Sequence, residues 1–361
     1  MAKDKEMKDE YLWDGSGEPD PEVQKLEKVL ARYRQDLSAP DFRAIVEARE
    51  ERRRFRIFGL SGLQVWGAAA AGLVIAAAGF YFASSWRSGV NQGSPWEVAR
   101  LAGTPRVGWH VLREKSGAGK LGVGQTLVTD AASRASITLD ETGTVEVDAE
   151  SRVKLISNGQ GRTRLSLERG TIHATIWAPP GEFVVDTPSA VAVDLGCVYT
   201  LHVDDSGAGL LRTTMGWVGF KSSGRESFIP AGAVCTTRPK IGPGTPYLED
   251  ASAAFREALD KFDFGEVTAT ERKALVGVIL SQARKSDALT LWHLLARVSE
   301  EDRPAVYEKL AALAPPPTGV TRDGVLKLDR PLMDLWWNSL GFGDVYLWRT
   351  YEREWGASGN R

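Results

Sequence analysis

The amino-acid sequence predicts a mainly β extracytoplasmic domain, an antiparallel sandwich or roll, followed by a C-terminal α-helical domain and preceded by one transmembrane helix. Three patterns carry that expectation. No charged residue interrupts the thirty positions from Ile57 to Trp86. Between residues 96 and 247, short runs alternate apolar with polar and are divided by Gly, Pro, Asn and Asp. From Glu249 onward the apolar spacing changes to the helical period.

The charge-free run exceeds the roughly 20 apolar residues that cross a hydrocarbon layer of about 30 Å. Trp66, Tyr81, Phe82 and Trp86 lie toward its ends, where amphipathic rings favour the headgroup level. Arg49, Arg52, Arg53, Arg54 and Arg56 crowd its N-terminal side, whereas Arg87 stands alone on the other side until Arg100. Cations resist translocation, so the N-terminus is expected in the cytoplasm and the C-terminal bulk outside, in the periplasm or beyond a bacterial inner membrane. The run is read as an uncleaved signal anchor, since 56 residues precede it and Ala83 and Ser85 make a poor cleavage site. Ala68, Gly72 and Ala76 form a small-residue face that could pair two such helices, so a homodimer stays open. Membrane lipid is one expected partner.

Six segments follow from this: 1–56, a short cytoplasmic helical segment; 57–86, the span; 87–95, a linker; 96–247, the β domain; 248–317, a helical bundle or repeat-like domain; and 318–361, an aromatic-rich helical tail. In the first segment Asp20 and Pro21 suit a helix start, with Val23, Leu26, Leu30 and Tyr33 at helical spacing. So short a segment cannot bury enough surface to fold alone. Tyr11, Leu12, Trp13, Leu26, Leu30 and Tyr33 are therefore candidate contacts for a cytoplasmic partner.

The β domain is read from Ala135, Ile137 and Leu139; Val145 and Val147; Val153 and Leu155; Leu165 and Leu167; and Ile172, Ala174 and Ile176, each alternating with polar residues. Turns are expected at Glu141-Thr-Gly143, Asn158-Gly159, Arg169-Gly170, Pro179-Pro-Gly181 and Asp205-Ser-Gly207. Further strands are expected over Phe183 to Asp186, Val191 to Leu195, Val198 to Val203, Leu210 to Thr214, Trp217 to Lys221, Glu226 to Ile229 and Ala233 to Thr237. Cys197 and Cys235 both fall on the outer side. They could form a disulfide in an oxidising compartment, or be buried singly as small apolar groups.

Several of these pieces occur in a telling order: Val123-Gly-Gln-Thr-Leu-Val-Thr-Asp130, Arg134-Ala-Ser-Ile-Thr-Leu139, Gly143-Thr-Val-Glu-Val147 and Leu165-Ser-Leu-Glu-Arg-Gly170, then Phe183-Val-Val-Asp-Thr-Pro188, Val193-Asp-Leu-Gly196, Gly216-Trp-Val-Gly-Phe220 and Pro230-Ala-Gly232. This series resembles the FecR-domain family of membrane-anchored signal transducers, over roughly residues 96 to 240. The resemblance implies an anti-sigma-type regulator whose outer part contacts an envelope partner and whose inner part acts on an extracytoplasmic-function sigma factor. Family members often carry threonine where this chain has Cys197, and their cytoplasmic segment is commonly longer.

After Glu249, Phe255, Leu259 and Phe262 share a helix face, and Thr268 with Glu271 makes a capping box. Ser286 or Asp287 starts a helix with Leu291, Leu294, Leu295 and Val298 inward. Ser299, Asp302 and Pro304 open another, with Val306, Leu310 and Leu313, which Pro315-Pro-Pro317 ends. Trp336, Trp337, Tyr346, Trp348, Tyr351 and Trp355 suit packing between domains better than an open surface.

Catalysis finds little support. Four histidines are scattered, and none of them and no cysteine precedes the span, which excludes a zinc-binding cytoplasmic domain. Gly117-Ala-Gly-Lys120 lacks the rest of a phosphate loop, and no Gly-x-Ser-x-Gly elbow occurs. Asp186, Asp194, Asp204 and Asp205 lack calcium-loop spacing and read as solvated strand ends. A formal net charge of −2 argues against nucleic acid as a partner. The expected chain is thus not an enzyme and carries no cofactor. It is a single-pass regulator with a sigma factor inside and an envelope protein or polymer outside. The alternative is a non-catalytic envelope binding or scaffold protein whose inner segment only anchors it.

Overall fold

The computed structural model describes residues 94–350, apart from 115–117, 140–141, 160–161, 223 and 347. The strands run in chain order β1 (Trp96–Ala102), β2 (Arg106–Val107), β3 (His110–Val111), β4 (Gly119–Leu121), β5 (Thr126–Val128), β6 (Arg134–Thr138), β7 (Gly143–Val147), β8 (Arg152–Gly159), β9 (Arg162–Ile176), β10 (Phe183–Asp186), β11 (Val191–Asp194), β12 (Val198–Val203), β13 (Gly209–Met215), β14 (Trp217–Ser222), β15 (Arg225–Pro230), β16 (Ala233–Arg238), β17 (Gly242–Pro243) and β18 (Tyr247–Leu248). The alternating residues that predicted strands from Ala135 to Ile176 are all inward and buried, as half-wet sheets require.

Two sheets result. One has the order β4-β1-β6-β7-β9-β12-β13-β16, with β17 and β18 along β16. The other has the order β3-β2-β5-β8-β9-β10-β11-β14-β15. Strand β9 belongs to both. Up to Arg169 it pairs with β8, and from Gly170 onward with β7 and β12.

The turn expected at Arg169-Gly170 is therefore a bend inside one fifteen-residue strand, not a chain reversal. Strands that change sheets do so through such bends. Gly170 holds φ at +93°, and a Cβ on it would stand 2.4 Å from the Ser151 Cα. Only glycine fits there. Ser151 completes the corner, its hydroxyl accepting from the Thr171 N–H at 2.9 Å.

The bend also explains a feature that alternation could not foretell: β10 lies parallel to β9, with Phe183 opposite Thr163. A parallel neighbour needs a long crossover. Residues 167–182 supply it, passing through the first sheet and returning to the second.

The helices are α1 (Ala253–Phe264), α2 (Ala269–Gln282), α3 (Ala288–Leu295), α4 (Arg303–Leu313), α5 (Arg322–Leu326) and α6 (Arg330–Ser339), with a 3-10 turn at Lys285–Asp287 before α3. Side chains cap the starts of α1 and α2, the second of them as expected. Ser252 accepts from Phe255 N–H, and Thr268 and Glu271 form the capping box. Every residue of α3 is buried.

Helices and sheets belong to one compact unit. Trp217 and Phe228 of the second sheet meet Trp292, Trp337 and Trp348, with ring centroids 5.2 to 5.9 Å from that of Phe228. Trp348 lies so close over Gly219 that a Cβ there would come within 2.1 Å of its ring. This two-sided burial accounts for the nearly unbroken apolar stretch Trp217–Phe220. Trp336, Trp337 and Trp348 are thus packing residues, whereas Tyr346 is exposed. Tyr351, Trp355 and the predicted span at 57–86 lie outside the described residues. Among the described residues no helix is long and apolar enough to cross a membrane.

Replacing Gly170 by alanine should lower the unfolding free energy of residues 94–361 by about 2–4 kcal/mol, as strain at positive φ adds to the clash with Ser151. Denaturant unfolding checks this, and a loss below about 1 kcal/mol contradicts the corner described here.

Candidate functional site

The series Val193-Asp-Leu-Gly196 that carries the family resemblance closes a buried polar turn between β11 and β12. Asp194 is 1 % exposed. It accepts from the Gly196 N–H at 2.7 Å and from the Cys197 thiol. Burial pushes its carboxyl from the usual 3.8 up to about 7, with the thiol and the Gly196 N–H pulling the other way. Asp194 is therefore not a solvated strand end. Its neighbour Asp186 forms a two-toothed pair with Arg164 at 2.6 and 2.7 Å, and Asp204 caps its own turn through the Ser206 and Ala208 N–H groups. The Tyr199 hydroxyl is buried beside this turn and finds no partner among the described residues.

Cys197 and Cys235 are both free and buried. Cys235 stands opposite Leu211, which stands opposite Leu201, four residues along β12 from Cys197. Two strand spacings alone are about 10 Å, beyond the roughly 7 Å Cα limit for a disulfide. The disulfide left open by the sequence is not made. Burial also pushes both thiols up, that of Cys235 to about 12, so neither is a reactive thiolate.

A second buried site joins the helices to the sheet. His293 of α3 accepts the Phe228 N–H at Nε2, 3.0 Å away, and its Nδ1 donates to the Leu289 carbonyl at 2.9 Å. Those partners fix the tautomer. Burial, with Arg297 nearby, lowers the ring from 6.5 to about 3, so it stays neutral. Arg297 donates to the Glu226 carbonyl and the Ser227 hydroxyl, and pairs with buried Asp263 at 3.3 Å.

Outside, the first sheet presents a polar ladder. His173 bridges Asp148 at 2.8 Å and Thr200 at 3.0 Å, while Arg134 meets Asp148 at 3.0 Å. One end of the β structure is different in character. The cross-strand row Glu97, Thr138, Thr144, Thr175, Val198 and Met215 leads to Met215, 53 % exposed, and Trp177 follows two residues after Thr175, 65 % exposed. Trp109, in the β2–β3 turn, is 98 % exposed. Trp177 and Met215 thus lie near one end of the first sheet, and Trp109 on a turn of the second.

Among the described residues no three His, Cys, Asp or Glu converge to hold a metal ion. Tyr11, Leu12, Trp13, Leu26, Leu30, Tyr33 and the cluster Arg49, Arg52, Arg53, Arg54 and Arg56 lie outside the described residues. Sequence reasoning missed His293, Arg297 and the burial of Asp194. The only available signal was their position inside apolar runs, which does not separate a satisfied core group from a surface one.

The two buried titrating groups oppose each other. Asp194 has a raised folded pKa, so its stabilisation is complete below about 3.8 and is lost as pH rises through about 7. His293 has a depressed one, so its contribution is complete above about 6.5 and is lost as pH falls through about 3. Between about pH 4 and 6.5 the two slopes cancel. Asp194→Asn should unmask the histidine slope, making the variant lose stability relative to wild type by about 1.4 kcal/mol per unit of acidification in that window. Parallel profiles of unfolding free energy against pH would contradict the assignment.

The sequence profile of the family described as "FecR protein" matches residues 125–215, the stretch holding β5 through β13. Two crystal structures of a "putative anti-sigma factor" from Parabacteroides distasonis are similar in part. Each is 14 % identical with a TM-score of 0.31, covering 37 % of this chain and 63 % or 62 % of the other. This chain thus spans less than two thirds of the length of those structures. No curated protein matches it. The β structure of this chain carries, at residues 125–215, a FecR domain.

Proposed function

We propose that the chain is a single-pass signal-transduction regulator of the bacterial inner membrane, which senses an envelope partner outside and controls an extracytoplasmic-function sigma factor inside. The observation that carries this reading is the order of parts. An arginine cluster at 49–56 is followed by a charge-free thirty-residue run and then by the FecR domain. That order favours residues 1–56 in the cytosol and the FecR domain across the bilayer. The inner segment, with Tyr11, Leu12, Trp13, Leu26, Leu30 and Tyr33 as its apolar groups, is too small to bury them alone and gains by docking on a folded partner. No chemical step is involved. A single helix transmits subtle shape changes poorly, so the signal acts through partner-controlled cleavage or association.

Residues 1–56 used as bait should recover a sigma factor from lysate of the source organism, and replacing Trp13, Leu26 and Leu30 together by alanine should reduce recovery at least tenfold. Recovery of no transcription factor by soluble bait contradicts the reading. So does unchanged function after residues 1–45 are exchanged for an unrelated sequence, which instead supports an envelope scaffold.

A further inference from the structure

Trp109, the most exposed large apolar residue of the β structure, lies near the point where the chain enters it. Strand β2 runs the same way as β8, because Arg106 lies opposite Val128 and Val128 opposite Arg152. The β2–β3 turn, with Trp109 in it, therefore points the way β8 runs, toward Asn158. The Asn158 amide in turn donates to the Ser94 carbonyl at 2.7 Å, at the first described residue. Pro95 lines a cavity of about 500 Å³ together with Val107, His110 and Leu112, so the entering chain and the turn share one wall. Ile156, two residues before Asn158 on β8, is exposed as well. The loop that begins at exposed Trp177 folds back until the Glu182 carbonyl accepts from the Thr163 N–H at 2.7 Å.

A tryptophan 98 % exposed on a two-strand turn contributes nothing to the core. Its ring has an apolar body and one N–H, the pattern favoured at a membrane–water boundary. Lys120 lines the same cavity as His110, which follows Trp109, and Arg113 comes four residues after Trp109, while the nearby Glu114 is met by Arg100 at 3.8 Å. That balance suits an anionic headgroup layer. Only residues 87–93 separate Trp86, the end of the charge-free run, from Ser94. Seven residues reach at most about 25 Å, so an anchored chain holds this end of the β structure close to the bilayer.

We propose that the chain-entry end of the β structure, led by Trp109, rests on the outer surface of the bilayer, with the Trp109 ring among lipid headgroups. The proposal rests on the reading that residues 57–86 span the membrane, and it adds a second contact that fixes how the FecR domain is presented to its partner.

The test uses the full chain reconstituted in vesicles of phosphatidylcholine and phosphatidylglycerol. Trp109→Cys and, separately, Asp205→Cys are labelled with an environment-sensitive fluorophore. Cys197 and Cys235 are buried and stay unlabelled. Asp205 follows β12 at the opposite end, where Val203 lies across from Gly170. The label at 109 should be quenched several-fold more than that at 205 by lipids carrying a nitroxide near the headgroup, and less so when phosphatidylglycerol is omitted. Equal, water-like signals at both positions, in chain that floats with the vesicles, overturn the proposal and leave the anchor reading intact. Chain that does not float overturns both.

Discussion

The open edge of β15 is the constraint on which the arrangement of helices and sheets depends. In the pairing of β14 with β15, Phe228 stands opposite Gly219 and Glu226 opposite Lys221, and at these positions the β15 backbone turns its polar groups away from β14. An edge left this way invites pairing with another chain. Here side chains close it. His293 takes the Phe228 N–H and Arg297 takes the Glu226 carbonyl, so α3 and the turn after it act as a substitute strand. The geometry demands a neutral imidazole, which its depressed pKa supplies, and a buried guanidinium, which Asp263 and the Thr245 hydroxyl hold in place. The aromatic cluster around Phe228 keeps water from competing for those bonds. The helical region is in this sense a cover for the second sheet, and Gly219 is bare so that Trp348 can lie on it.

The middle of the second sheet is organised by β9. One strand that bends at Gly170 and serves two sheets makes the layers inseparable: β8 and β10 depend on its first half, β7 and β12 on its second. The fold gains a parallel pair without a helix because the same strand provides most of its own crossover. The buried turn at Asp194 lies where this double-sheet path returns. Cys197 there satisfies a carboxylic acid instead of forming a disulfide, a role open equally to the threonine common at this place in the family.

Much of this was legible in the residues. Alternation located β6 and β10 through β16 to within a residue, with Phe183 to Asp186 and Val198 to Val203 bounded as found, whereas β8 runs four residues past Leu155 and β9 joins two expected strands. The capping box at Thr268 worked because it is a local hydrogen-bonding rule with little competition from tertiary contacts, and α4 starts after Asp302 with Pro304 in its first turn but no side-chain cap. Three things were not legible. Gly170 looked like a turn because positive φ serves a bend and a reversal equally. Strands β1 to β4 were missed, since Glu97 and Arg100 interrupt a seven-residue strand and the three that follow are only two or three residues long. Asp194 looked like a solvated strand end and the burial of His293 went unread, because periodicity reports burial only of apolar residues. Trp109, Ile156, Trp177 and Met215 are exposed on four separate elements, and no stretch of sequence shows that.

Function in this account comes from sidedness more than from any reacting group. The FecR domain and its helical cover are one unit, and under the proposed function what matters is that this unit stands across a bilayer from residues 1–56. The solvation cost of moving five clustered arginines through hydrocarbon sets that arrangement. The most direct test is a pair of fusions after Arg361 in a bacterial host. Alkaline phosphatase, active only when exported, should be active, and green fluorescent protein exported by the same route should be dark. Bright fluorescence with inactive phosphatase would place the domain in the cytosol and contradict the account.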